Sequence, residues 1–552
     1  MPQISNGPIS LANLTAPGVY VQVIAPSAQI PGVATNVVGV VGTASWGPKG
    51  VPVLLGSPQD LQAAFGPIIG SPAPVGAVAA SANPYDLVSA CSAVFSQGPV
   101  QVQAVRVSDG TDVAATLVLN DTTATPVHGG TVTALHTGSL GNGIKITIAT
   151  AAKTDASSNV YFNVTVAPPA GSGLQAEFYP NIKGGVDSAV NSPFWANLAA
   201  AWTSGIPGVT GPSQLVSLAT PSATAENPAV LAATSMAGGV DGTATAATII
   251  AAAVGSISAT PQTGIFALST AVPKPAIAVI AGFGATASDG DIGTYAATLA
   301  TFADSTGTVV WFDYSLGDSS AAAVTETTVT QPVVDYNMNA VKDWAWWNDG
   351  VSGLRFYPMA PFMAGLQASL PPWVSPLNRP IKGISGTYRS TGAGKAAYSW
   401  AEIGDLNANG ISLVAAPSPG GSYVGVNAAV NTSFPANPAT GPCEYSTLTN
   451  FLARSIASAM GGVVGQNQSN SPVDPLRKLV RDKINGFLQG IKDQSGIDAF
   501  SVQCDTKNNP PNLVAAHIMQ ASCKVTYLAS VWYFVVSLIG GTTVVVQVSQ
   551  GS

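Results

Sequence analysis

The stretch "STGAGKAAYS", residues 390–399, sets Gly394 before Lys395 as a phosphate-binding loop would. Such a loop also needs a glycine upstream and a hydroxyl directly after the lysine. Arg389 and Ala396 occupy those places, so the segment reads as a flexible glycine-rich loop. In "IAGFGATASDG" the pair Gly282 and Gly284 follows an apolar run but lacks the third glycine and the acidic ribose partner of a dinucleotide site, and reads as a strand-to-helix turn. Asp289 and Asp291 in "SDGDIG" stand two apart as calcium ligands do, yet the remaining ligands of a twelve-residue loop are absent. His128, His136 and His517 have no carboxylate or nucleophile at motif spacing, and Cys91, Cys443, Cys504 and Cys523 form no C-x-x-C, so reduced, buried thiols are expected. Trp344, Trp346 and Trp347 in "DWAWWNDG" could stack sugars or bases. At nearly consecutive helical positions they would point apart, so a packed core or subunit contact is expected instead. The sequence thus assigns no catalytic, cofactor-binding or metal-ligating residue and implies no cofactor.

The elements that would position any site come from an unusual composition. The 552 residues include 58 Gly and 41 Pro, with 9% charged and 46% hydrophobic residues, which predicts short strands and turns and a surface covered by other subunits. A formal net charge of −7 leaves no basic footprint for nucleic acid. The first residues show neither a basic nor an apolar leader region, so the chain is expected to fold where it is made. The most apolar stretch, residues 525–539, would span roughly 22 Å as a helix against roughly 30 Å of hydrocarbon, so no membrane insertion is expected. Its Val, Thr, Tyr, Trp and Phe content suits strands, and a second run, "TTVVVQV", could pair as an edge.

Along the chain, "PGVYVQVIAP" alternates as a short strand, "NVVGVVG" reads as a buried strand, and "SPQDLQAAFG" as a capped helix ending at Gly66. The Thr-, Ala- and Val-rich part that follows reads as an all-β insertion, and alanine-rich helices alternating with apolar strands then indicate an α/β domain. Near the end, Asp474 and Pro475 start a helix whose stripe is Leu476, Leu479, Val480, Ile484, Phe487, Leu488 and Ile491, with Arg477, Lys478, Arg481 and Asp482 on its other face.

Taken in order, "APGVYVQV", "VVGVVGTASWGPKGVPVLLGSPQDLQAAFG", "SLGNGIKITI", "MAGGVDGT", "PMAPFMAGLQ", "DLNANGIS" and "FLQGIKDQSGIDAFSVQCD" resemble the tail sheath proteins of contractile bacteriophages and related injection machines. The resemblance spans nearly the whole chain. It implies a mixed α/β and β multidomain fold: an N-terminal arm at 1–25, an α+β core domain from residues 26–110 and 418–535, an inserted β-sandwich or barrel at 111–243, an inserted α/β domain at 244–417 and a C-terminal arm at 536–552. It implies a non-enzymatic subunit of a helical cylinder, carried in the virion after assembly in the host bacterial cytoplasm, whose partners are identical subunits, the tail tube protein, and baseplate and tail terminator proteins. The arms would add strands to neighbouring subunits through Val19, Tyr20, Val21 and Val23 and through Val544, Val545, Val546 and Val548. The core domain would meet the tube, with Arg477, Lys478 and Arg481 as the candidate contact. The alternatives are a hydrolase-like enzyme using the α/β domain and a surface-layer structural protein.

Overall fold

The computed structural model describes residues 30–68, 83–123, 128–153, 155–186, 190–219, 221–242, 246–285, 290–317, 319–330, 333–350, 353–390, 397–416 and 422–536, and the backbone alone at 3–6, 20–23, 290–291 and 329–330. The chain divides into two units: Gly32–Ser458, and Met1–Pro31 with Ala459–Ser552.

The larger unit is organised by an eight-stranded sheet. Its strands are β3 (Val37–Gly42), β4 (Val53–Leu55), β5 (Gln101–Arg106), β13 (Ile277–Ile280), β14 (Val309–Asp313), β15 (Met338–Lys342), β19 (Ile411–Ala415) and β20 (Gly425–Ala428), in the order β20-β19-β15-β14-β13-β3-β5-β4. The six inner strands are parallel, and β4 and β20 close the two edges antiparallel. Parallel strands covered on both faces read as unbroken apolar runs, and β3, β13 and β14 are buried at every residue. The pleat sorts their side chains alternately: Val38, Val40, Ile277, Val279, Val309 and Trp311 enter one core, while Val41, Ala278, Ile280, Val310 and Phe312 enter the other. Helices α1 (Pro58–Phe65), α2 (Leu87–Phe95) and α7 (Ala360–Ser369) contribute to the first core; α4 (Ala246–Val254), α5 (Gly290–Thr306), α6 (Ser320–Thr325) and α8 (Trp400–Ala408) contribute to the second. Helix α9 (Cys443–Met460) supplies Cys443 to the first core.

Residues 26–110 and 244–417 were expected to belong to different domains, yet their strands share this sheet, with β3 between β5 and β13. The sequence distance between those strands hides their pairing, since only the 3-D ladder brings Val38 opposite Ile277. The end of α1 meets the sequence expectation: Ser57 accepts a hydrogen bond from the Asp60 amide, and Gly66 closes the helix at φ 78°.

Between β5 and β13 the chain leaves the sheet and builds a β domain. Strands β6 (Thr116–Asn120), β7 (His128–Ala134) and β11 (Val216–Ala219) form one antiparallel sheet; β8 (Lys145–Thr150), β9 (Asn159–Ala167), β10 (Glu177–Val186) and β12 (Leu231–Ser235) form the other. One core joins them, from Ile146, Val164, Tyr179 and Val132 to Phe194, Trp195 and Trp202 of helix α3 (Phe194–Ser204). That helix was not anticipated within an all-β segment. Gly129 makes room for it, because a Cβ there would lie 2.2 Å from the Trp195 ring.

The tryptophan-rich segment is a strand and not a helix. β16 (Ala345–Asn348) pairs with β17 (Leu354–Tyr357) and β18 (Ile384–Thr387). Trp344 is buried and donates from Nε1 to the Tyr314 carbonyl at 2.8 Å, and Trp347 packs on Tyr357 and Phe362, so both are core residues.

The smaller unit contains helix α10 (Pro475–Asp493), the short helix α11 (Pro511–Ala515), an antiparallel pair β21 (Ile497–Gln503) and β22 (Ser522–Tyr527), and a parallel pair β1 (Gln3–Asn6) and β2 (Tyr20–Val23).

Candidate assembly surface

Helix α10 begins as its sequence requires: the Asp474 carboxylate accepts from the Arg477 amide at 2.9 Å and Pro475 fills the first turn. Leu476, Val480, Ile484, Phe487, Leu488 and Ile491 are buried on one stripe. Two assignments on this helix are corrected. Leu479 is 39% exposed, and Arg477 is 2% exposed, its guanidinium donating to the Ser471 carbonyl. Arg477 stands three and seven residues before Val480 and Ile484 and so falls on the buried face, under the loop that Ser469 and Asp474 tie together at 2.6 Å. Of the three basic residues expected as a contact, Lys478 is exposed and Arg481 half-buried, the latter 3.6 Å from Asp482.

Beside α10, β21 and β22 form a ribbon of two strands only, with Phe500 opposite Val525 and Val502 opposite Cys523. Most of its side chains are exposed or half-buried. A two-stranded ribbon is marginal in water, and a strand edge with no neighbouring strand among the described residues can template a further strand. Chain beyond the ribbon continues without secondary structure to residue 536, and there Val531, Tyr533, Phe534, Val535 and Val536 are between 68% and 86% exposed. An apolar run exposed this far is a candidate contact surface. Cys523 is exposed, unlike the buried Cys91, Cys443 and Cys504, because β22 has no covering layer among the described residues.

Of the residues expected to exchange strands, Tyr20, Val21 and Val23 lie in β2, which pairs with β1 of its own chain. Val19, Val544, Val545, Val546 and Val548 lie outside the described residues.

The remaining chemical candidates are dispersed. His128 contacts Thr131, His136 meets the Trp46 ring edge-on at 5.0 Å, and His517 is exposed. Burial, reinforced by Arg106, pushes His136 down to about 4. Among the described residues no group of three or more His, Cys, Asp or Glu could hold a metal ion. Residues 391–396 and 286–289 lie outside them, as does Asp289; the flanking Arg389 pairs with Glu402 at 3.2 Å and stacks over Tyr398. Gly284, at φ 75°, lets the turn after β13 approach Asp313, whose carbonyl would be 2.0 Å from a Cβ there.

Two buried carboxyl groups at the top of the large sheet escaped sequence reasoning, since neither is part of a motif. Asp313 ends β14 and accepts from the Met359 and Ala360 amides at 2.7 and 2.9 Å, capping α7. Asp86 caps α2 through the Ser89 amide at 2.8 Å. Burial raises Asp313 to about 8 and Asp86 to about 6, against the hydrogen bonds that each accepts. An open cavity of about 330 Å³ at the ends of β3 and β5 is lined by Thr43, Tyr85, Asp109 and Asp241. Its two carboxylates accept hydrogen bonds from Thr111 and Ser139.

No protein-family model matches the chain, and no curated protein matches it by sequence. Solved structures do match it. A sheath tail protein from Listeria innocua aligns over 90% of this chain and 96% of its own at 13% identity, with a TM-score of 0.56. A sheath tail protein from Desulfitobacterium hafniense aligns over 88% and 93% at 14% identity, with a TM-score of 0.51. At such identities the likeness is one of architecture, and over nearly its whole length this chain shares the fold of these two sheath tail proteins.

Proposed function

We propose that this chain is the structural subunit of a contractile tail sheath, polymerising as a helical cylinder around a tail tube and contracting to drive that tube through the host cell envelope. The observation that carries the reading is the sheet of the smaller unit: among the described residues, a ribbon of two strands followed by an exposed apolar run. Strands added from neighbouring copies would pair its edges through main-chain hydrogen bonds, and alternating valines would fix the register. Each valine covered contributes on the order of 1.5 to 3 kcal/mol, offset by about 1 to 2 kcal/mol per residue for ordering the backbone. One arm is marginal by itself, and arms at both ends of every subunit make the lattice hard to dissociate.

The function needs no catalytic residue. An extended lattice that is kinetically trapped can shorten into a better-packed one while its linked arms hold, with the free energy stored in subunit contacts. Lys478 and Arg481 are the candidate tube contact, since screened charges release more readily than apolar packing. The tube, baseplate and tail terminator proteins are the further partners, and the assembled particle is the site of action, after polymerisation in the host cytoplasm. No helix among the described residues is long and apolar enough to cross a membrane.

Negative-stain electron microscopy of the whole chain, beside a version lacking residues 542–552, tests this reading. Hollow striated cylinders from the whole chain and their loss on truncation are expected; uniform monomers from both would overturn it.

A further inference from the structure

The N-terminal strand expected to reach a neighbour is already occupied. β1 lies along β2 in parallel, with Gln3 opposite Tyr20, Ile4 opposite Val21, Ser5 opposite Gln22 and Asn6 opposite Val23. A parallel pair requires a connection of about a dozen residues, a length the sequence between the two strands meets. The occupant is a poor one. Its four residues, "QISN", contain a single large apolar residue and no alternation, so the sequence offers the pairing little beyond main-chain hydrogen bonds. A stronger occupant exists in every copy: Val-Xaa-Val-Gln-Val occurs at residues 19–23 and again at 544–548. A strand of that alternating pattern would both pair the backbone and bury valines, and would displace "QISN".

We propose that β1 is an intrachain placeholder: in the free subunit it covers the edge of β2 that a strand from a second copy of this chain takes on assembly. The inference rests on the sheath reading and adds to it a control on when the lattice forms. A bare strand edge invites pairing with any other edge, and a weak internal strand blunts it until a better-matched one arrives.

Paired residues of adjacent strands lie within disulfide reach, so Ile4→Cys with Val21→Cys, in a Cys523→Ser background, locks the placeholder under oxidation. The oxidised protein is expected to melt as its parent does and to remain a free subunit by light scattering, with polymer returning on reduction. Removal of residues 3–6 is expected to lower the concentration at which polymer appears by about tenfold, the factor of one or two net hydrogen bonds. Failure of the disulfide to form in the free subunit, polymerisation of the oxidised protein equal to the reduced one, or an unchanged or raised threshold after the deletion would each overturn the placeholder while leaving the sheath intact. A parent chain that forms no polymer at any concentration would remove the sheath reading and the placeholder with it.

Discussion

The two units of this chain handle apolar surface in opposite ways. Gly32–Ser458 buries its own: every residue of β3, β13, β14, β15 and β19 is inside, between cores on both sheet faces. The terminal unit buries one face of α10 and leaves Tyr533, Phe534 and Val535 more than three-quarters exposed beside a two-stranded ribbon. Their charge differs as well. Residues 459–552 hold seven Lys and Arg against five Asp, although the whole chain carries 20 against 27. The contrast separates a body that covers its own apolar surface from a region that, among the described residues, leaves apolar side chains exposed.

The contrast is most easily broken by paired substitutions. Trp311→Ala removes a fully buried ring whose Nε1 donates to Gln367 at 2.7 Å, and a loss of about 3 to 5 kcal/mol is expected in the unfolding of the larger unit. Tyr533→Ala should leave the melting curve of the free subunit in place and weaken polymerisation. Equal destabilisation of the free subunit by both would erase the distinction between the units.

A pH titration sharpens it further. The folded Asp313 carboxyl, raised by burial from 3.8 to about 8, favours the protonated state, so its contribution is full below the unfolded value and is lost as pH rises through the folded one. Asp86, raised to about 6, completes the same loss earlier, while His136, lowered to about 4, costs stability only as pH falls below its ordinary 6.5. Between pH 6.5 and 8 the larger unit should therefore lose about 1 kcal/mol per pH unit through Asp313, the slope fading as pH reaches the folded value. Asp313→Asn keeps the acceptor for Met359 and Ala360 and should flatten that slope in thermal melts; an unchanged slope would assign it elsewhere.

Smaller effects are expected on α10. Arg477→Ala deletes a buried cation and its bond to the Ser471 carbonyl and should destabilise the terminal unit by about 1 to 3 kcal/mol. Lys478→Glu with Arg481→Glu, both on the surface, should change stability by no more than about 0.5 kcal/mol and instead reduce assembly on the tube. Tube-templated polymerisation at the parental rate would exclude that contact.

What the sequence revealed was local. Ser57, Gly66 and Asp474 announce helix ends because a cap involves residues within one turn, and the structure finds all three in those roles. The union of β3 and β5 with β13 was hidden, since a parallel ladder between residues more than two hundred positions apart has no local signature. "DWAWW" misled because aromatic residues suit a strand as well as a packed helix; the φ of 80° at Asp343 turns the chain and starts β16 two residues later. Arg477 was misassigned by its charge, although its spacing from Val480 and Ile484 already placed it on the buried stripe. The exposed apolar run at 531–536 was legible in outline, whereas the pairing of β1 with β2 was not, because "QISN" has no strand pattern of its own.

Hydrogen exchange of the subunit before and after polymerisation tests the central claim most directly. In the free subunit the amides of β21 and β22 should exchange far faster than those of β3 and β14, and in the polymer they should slow by at least about 100-fold as neighbouring strands complete the sheet. Amides of β21 and β22 protected as strongly as β3 in the free subunit, or unchanged on polymerisation, would contradict the account.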